Sequence, residues 1–268
     1  MPRTPTRFLP LTSRYAASAA LVLAALLLSG CGFLPRPTVT PMATQLERSA
    51  CSGPSRTLLV FLPGAGSFPQ EFSQEGFVQA VRDRRIAADM LLVDAHRGYY
   101  NERSILERLQ ADVIVPARSQ GYQSLWLVGI SLGGFGALIH EEAFPGQVQG
   151  LVVLAPYLGE ASVIAEVAAA GGLGAWKPAS GSAATAGFDG RLWRWLQGYS
   201  TAAGTDAAAR PPLYLGYGQG DRFAVPNGLL GAVLPPAQVF TTEGGHDWPA
   251  WRRLWHRMLD VLPLPHCR

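Results

Sequence analysis

The chain has 268 residues, 48% hydrophobic and 15% charged, a composition that supports a buried globular core and excludes disordered and fibrous classes. Its formal net charge is +3, but residues 1–30 hold Arg3, Arg7 and Arg14 and no acid, so the remainder carries 19 charges of each sign. That remainder has no run of lysine and arginine interleaved with aromatics, so nucleic-acid binding has no support.

The three arginines precede an uncharged apolar run, 16–28, too short to cross a bilayer comfortably as a helix. With the small residues Ser29 and Gly30 behind it, this is the pattern of a secretory leader that is removed from the mature chain. The leader ends in Leu28-Ser29-Gly30-Cys31, which resembles the lipobox of bacterial lipoproteins. The resemblance implies a lipid on Cys31 as the new N-terminus. Gly32 after it, rather than aspartate, implies the outer membrane, on the periplasmic side. The alternative is an ordinary leader whose cleavage site happens to hold a cysteine. At about 0.8 kcal/mol per buried methylene, several acyl chains hold a protein at a membrane without a spanning helix.

Residues 31–50, rich in proline, threonine and alanine and without periodicity, read as a flexible tether, with the folded domain expected over 51–268. Cys51 and Cys267 stand near the two ends of that exported domain and are disulfide candidates; two unpaired buried thiols are the alternative.

From Thr57 onward, short apolar runs alternate with amphipathic stretches. Strands are expected at 58–62, 90–93, 125–128 and 151–154, and helices at 72–84, 102–120 and 134–144, the second kinked or ended by Pro116. Strand and helix in alternation argue a mostly parallel sheet covered on both faces. The segment 158–210, dominated by alanine and glycine, shows no strand and reads as a helical insertion or lid. Strand character returns at 213–217 and 238–242. A final helix, 249–262, places Trp251, Leu254, Trp255, Met258 and Leu262 on one face, read as core packing.

Gly129-Ile130-Ser131-Leu132-Gly133 directly follows a buried strand and directly precedes a helix. Glycines permit the sharp turn this needs and the close approach of the following helix. The turn presents the Ser131 hydroxyl above the sheet, while the helix N-terminus offers N–H groups to a developing oxyanion. A glycine-rich turn with no chemistry is the alternative. A serine hydroxyl needs a base to take its proton as it attacks. His96 precedes the serine, His140 lies on its helix and is expected at the surface, and His256 and His266 are expected to face solvent. His246, in Glu243-Gly244-Gly245-His246, occupies a loop between the last strand and the last helix and is the candidate base. Asp221 follows a strand through Gly216, Gly218 and Gly220, at the C-terminal end where ligand sites of such sheets lie. It is the candidate acid that orients the histidine; a buried aspartate that only caps its loop is the alternative. Asp247, next to His246, is expected to point elsewhere.

The serine turn, the glycine-rich acid loop with Val225-Pro226 behind it and the Gly-Gly-His loop resemble the α/β-hydrolase superfamily, in its esterase and lipase-like branch, over about 57–262. The resemblance implies an α/β-hydrolase fold with a shortened sheet of six or seven strands, and Ser131, Asp221 and His246 as catalytic residues. It implies an oxyanion hole from the backbone N–H of Leu132 and of Ala65, with Gly66 the alternative to Ala65, because Pro63 stands where the family often has histidine. The expected substrate is a small-molecule or lipid ester, cleaved without cofactor or metal. An acyltransferase or peptidase on the same residues, and a catalytically silent envelope-binding lipoprotein, are the competing readings.

Overall fold

A computed structural model describes residues 36–178, 188–200 and 210–267; Cys31 and the leader lie outside the described residues. Residues from 37 onward form one unit. In chain order its elements are β1 (Thr44–Glu47), β2 (Thr57–Leu62), α1 (Glu71–Gln74), α2 (Phe77–Asp83), β3 (Ala88–Val93), α3 (Arg97–Asn101), α4 (Ile105–Leu109) and α5 (Val115–Ser119). They continue with β4 (Ser124–Ile130), α6 (Leu132–Ala143), β5 (Gly150–Leu154), α7 (Ala161–Ala169) and α8 (Phe188–Gln197). The last are β6 (Leu213–Gly218), α9 (Ala224–Gly231), β7 (Val239–Thr242) and α10 (Trp248–Leu259).

The seven strands form one sheet in the order β1-β3-β2-β4-β5-β6-β7, parallel throughout except for β1, which runs antiparallel to β3. Every residue of β2 and β5 is buried, which is why these strands read as unbroken apolar runs rather than alternating ones. Alternation reappears in how the side chains are shared. Leu58, Val60 and Leu62 join a core with Tyr99, Leu109 and Leu138 on one face, while Leu59 and Phe61 join Phe72, Phe77, Trp251 and Trp255 on the other. The chain leaves β2 for β3 on one side, returns across it to β4, and then builds outward the other way. The crevice beyond the C-terminal ends of β2 and β4 is therefore the switch point of the sheet, where ligands of open α/β sheets bind.

Three expectations need correction. The tether ends earlier than residue 50, because β1 lies within it and Met42 is buried; a four-residue edge strand with half-exposed side chains carries too little apolar pattern to be read from sequence. The helix expected over 72–84 is two, divided at Gly76 with φ 80°. Pro116 does not end its helix, but the helix is irregular directly before it: α-helical geometry stops at Leu109, a π-helical turn spans Gln110–Ile114, and α5 carries Pro116 as its second residue.

Within 158–210 the described parts are packed rather than loose. Leu158, Val167, Leu173, Trp176, Trp193 and Leu196 are buried in the first core, and the Trp193 indole donates to the Leu158 carbonyl at 2.8 Å.

Cys51 and Cys267 are bonded, their Cα atoms 5.3 Å apart across a sequence separation of 216. Beside the bridge the C-terminal tail donates from Cys267 N–H to the Arg85 carbonyl and accepts from Ala87 N–H at the Pro265 carbonyl, both at 2.7 Å. Closing so long a loop restricts the unfolded chain, so replacing both cysteines by serine is expected to destabilise by about 2–5 kcal/mol. At about 2–4 °C per kcal/mol for a domain of this size, thermal melts of parent and double variant will show a drop of roughly 4–20 °C. An unchanged melting temperature would refute a stabilising bridge.

Candidate active site

The serine turn sits at the switch point, and its glycines are there for backbone reasons. A Cβ on Gly129 would run into the Gly133 carbonyl, and one on Gly133 into the carbonyls of Leu62 and Pro63 at the end of β2. Ser131 between them has φ 53° and ψ −114°, a conformation that costs a non-glycine residue on the order of 1–3 kcal/mol. Backbone bonds hold it there: Ser131 N–H donates to the Leu154 carbonyl at 2.9 Å, and the Ser131 carbonyl accepts from Phe135 at 3.1 Å and Tyr157 at 3.0 Å.

The three residues singled out from sequence come together. His246 Nε2 lies 2.9 Å from Ser131 Oγ, and His246 Nδ1 lies 2.8 Å and 3.0 Å from the two Asp221 oxygens. The Asp221 side chain is fully buried and that of His246 is 13% exposed. Asp221 Oδ1 also accepts the Phe223 N–H at 2.7 Å, which fixes the carboxylate relative to the ring. The two loops carrying Asp221 and His246 touch through glycine. Gly220 N–H donates to the Gly244 carbonyl at 3.0 Å, and a Cβ on Gly218 would strike that carbonyl. With Nδ1 donating to the carboxylate, Nε2 is left as acceptor for the serine proton, the arrangement that activates a hydroxyl nucleophile.

Around this centre, the N–H groups of Leu132 and Ala65 have no acceptor among the described residues. Gly64 packs against the serine, since a Cβ there would be 3.5 Å from Ser131 Cβ, and the turn from Gly64 to Ser67 closes with a 3.1 Å bond. The loop holding Ala65 and Gly66 thus flanks the elbow. Two residues with no sequence signal for the site flank the imidazole edge-to-face: Phe223 and Trp251, each 5.0 Å from it between ring centroids. Trp251 was expected only as core, and its contact with His246 crosses from helix to loop, so no local spacing reveals it. Among the described residues no group of three or more His, Cys, Asp or Glu could hold a metal.

The other candidates fall elsewhere. Asp247 caps α10 by accepting the Ala250 N–H at 3.1 Å. His96 caps α3, and His256 and His266 are exposed. His140 is not at the surface as expected. It is fully buried beside Glu141, with its Nε2 2.9 Å from Gln110 Oε1 in the π-helical turn.

The fold is the α/β-hydrolase fold. Among solved structures the chain is similar to the monoacylglycerol lipase of Paleococcus ferrophilus, at 16% identity over 81% of this chain and 96% of that one, with a TM-score of 0.52. It is also similar to the fluorophosphonate-binding serine hydrolase F of Staphylococcus aureus, at 15% over 85% and 95%, TM-score 0.54. A third is an α/β serine hydrolase homologue from Coxiella burnetii, at 15% over 85% and 96%, TM-score 0.54. No protein-family model and no curated protein matches the sequence.

Burial of the pair behind the serine helix makes stability depend on pH. Burial pushes the Glu141 carboxyl up from 4.5 to about 7 and the His140 imidazole down from 6.5 to about 4. A raised carboxyl contributes stability fully below its unfolded value and loses it as pH rises through its folded value; the lowered histidine loses its contribution as pH falls from 6.5 toward 4. Between 4.5 and 6.5 the two slopes oppose. Glu141→Gln removes one of them, so the variant is expected to exceed the parent in stability above pH 7, on the order of 3 kcal/mol, with the gap closing by pH 4.5. Denaturant titrations across that range check it, and a gap that does not change with pH would refute a neutral Glu141.

Proposed function

We propose that the protein is a serine hydrolase of carboxylic esters. The observation that carries this reading is the unbroken run of hydrogen bonds from Ser131 Oγ through His246 to a buried Asp221, at the switch point of an α/β-hydrolase sheet. A lipase and a serine hydrolase among its structural neighbours agree with it, at the level of fold.

In the proposed reaction Ser131 Oγ attacks the ester carbonyl carbon as its proton passes to His246 Nε2. The imidazolium that forms is stabilised by Asp221, and the N–H groups of Leu132 and Ala65 hold the oxyanion. Collapse expels the alcohol, which takes the proton from His246. Water then adds to the acyl-enzyme by the same route and releases the acid and free Ser131. Side chains and water supply every atom the two steps need. We further propose that Cys31 carries lipid and holds the enzyme in the bacterial cell envelope, on the support of Leu28-Ser29-Gly30-Cys31 and the leader before it.

Hydrolysis of p-nitrophenyl esters by the domain from Gly32 onward tests the chemistry. Ser131→Ala is expected to lower kcat by at least about a thousandfold, with the fold retained by circular dichroism. Asp221→Asn is expected to lower it by about ten-thousandfold through the wrong imidazole tautomer. A Ser131→Ala protein that turns esters over at the parent rate would end this reading. For the anchor, Cys31→Ser in the full chain is expected to move the protein out of the membrane fraction; retention there would end that part alone.

A further inference from the structure

The direction of β1 decides at which end of the domain the N-terminal chain arrives. β1 is antiparallel to β3, with Thr44 opposite Val93 and Glu47 opposite Met90. It therefore starts at the C-terminal end of the parallel strands, the end that carries Ser131, Asp221 and His246. The residues ahead of it are fastened there. The Ala43 carbonyl accepts the Asp94 N–H at 2.9 Å. Val39 exchanges hydrogen bonds with the Tyr99 hydroxyl at 3.2 and 2.8 Å, and the Thr38 hydroxyl donates to Glu102 at 2.7 Å. Tyr99 and Glu102 belong to α3 and its cap, and Tyr100 and Asn101 between them line a cleft with Leu132, the residue after the nucleophile. The chain reaches the domain beside the active site.

Cys31 precedes Thr38 by seven residues, which span at most about 25 Å when fully extended. A compact domain of this length is about 45 Å across, so a chain leaving one end needs roughly 70 Å to pass round to the other. A lipid on Cys31 thus lets the crevice end face the membrane and keeps the opposite end from doing so.

The large apolar side chains left in solvent follow the same division. Seven are exposed among the described residues, and four of them stand at the crevice end: Val39, Phe68, Phe188 and Val225. Val39 is held at Tyr99, Phe68 follows Ala65 in the loop after β2, Phe188 lines the cleft with Leu132, and Val225 opens α9 behind Asp221. The other three are Leu46 within β1, Val115 at the start of α5, which leads to the N-terminal end of β4, and Val261. Val261 follows Asp260, which pairs with Arg84 ahead of β3, at the opposite end. Exposed apolar residues scattered singly are ordinary. Four around one crevice, two of them aromatic, suit the boundary between lipid headgroups and acyl chains.

We propose that the crevice end docks on the membrane that holds Cys31, through Val39, Phe68, Phe188 and Val225, and that the substrate is an acyl ester carried by a lipid of that same leaflet. This rests on the lipid-anchor and ester-hydrolase readings above. The hydrolysis is unchanged: water adds, and the products are the lipid alcohol and the fatty acid.

The test uses the full chain, purified from membranes and reconstituted in vesicles of phosphatidylethanolamine and phosphatidylglycerol. Val225→Cys and Val261→Cys, both at exposed positions, are labelled with bimane, and doxyl-labelled phosphatidylcholine is added as quencher. Bimane at 225 is expected to be quenched at least about threefold more strongly than bimane at 261. Hydrolysis of 4-methylumbelliferyl oleate held in the vesicles is then compared with that of p-nitrophenyl butyrate in water. Val39→Glu is expected to lower turnover of the oleate about fivefold and to leave butyrate within about twofold, because a charge on this rim opposes insertion; Val261→Glu is expected to lower neither. Equal quenching at the two positions, or oleate turnover that Val39→Glu does not change, overturns the docking and leaves both earlier readings standing. A chain that does not float with the vesicles ends the anchor reading, and ester turnover that survives Ser131→Ala ends the hydrolase reading; either takes this proposal with it.

Discussion

Ser131 occupies a backbone conformation that an L-residue avoids, and much of the surrounding structure is what keeps it there. The strand behind it, β4, is central to the sheet, paired on one side with β2 and on the other with β5. The helix ahead of it, α6, begins at the next residue, so the turn has no slack. Gly133 must pass under the end of β2 and Gly134 must pass Pro156, which places α6 close enough for its first N–H groups to face the crevice. Strain of a kcal/mol or two is small against the burial that flanks it on both faces of the sheet. The cost is met by packing distant from the turn, and the hydroxyl is held within reach of His246 Nε2.

The other two members of the site depend on a second constraint, the contact between two glycine loops. Asp221 and His246 follow β6 and β7, adjacent parallel strands, so their loops leave the sheet side by side. Glycine at 218, 220 and 244 lets one backbone lie on the other, and the imidazole then falls within hydrogen-bond reach of the carboxylate. Phe223 and Trp251 close on the ring from both sides. Trp251 in turn stacks edge-on with Trp248, whose indole donates to Glu71 at the start of α1. The orientation of one loop histidine is thus tied to α10 and α1, on the face of the sheet opposite the insertion.

What could be read from sequence follows the range of the physics involved. Strands buried on both faces leave apolar runs, and β2 to β6 were legible for that reason; of the two edge strands, half-exposed β7 was still read and β1 was not. The elbow and its partners were legible because each carries a local requirement for glycine beside a chemically able residue. His140 was misread because it is buried against Gln110 of the π-helical turn, a contact between segments 30 residues apart in the chain.

The insertion shows how a segment of low information in sequence can still be strongly specified. Alanine and glycine set no clear period, yet Trp176 and Trp193 are almost wholly buried, and each indole N–H finds an acceptor within the same segment, Glu166 and the Leu158 carbonyl. A buried tryptophan contributes large apolar area but must satisfy its one donor, so two such residues with partners define a packing arrangement that small residues alone could not. Small side chains between them let the segment fold tightly, and α8 packs on α6, so a stretch without a readable period still takes one defined arrangement.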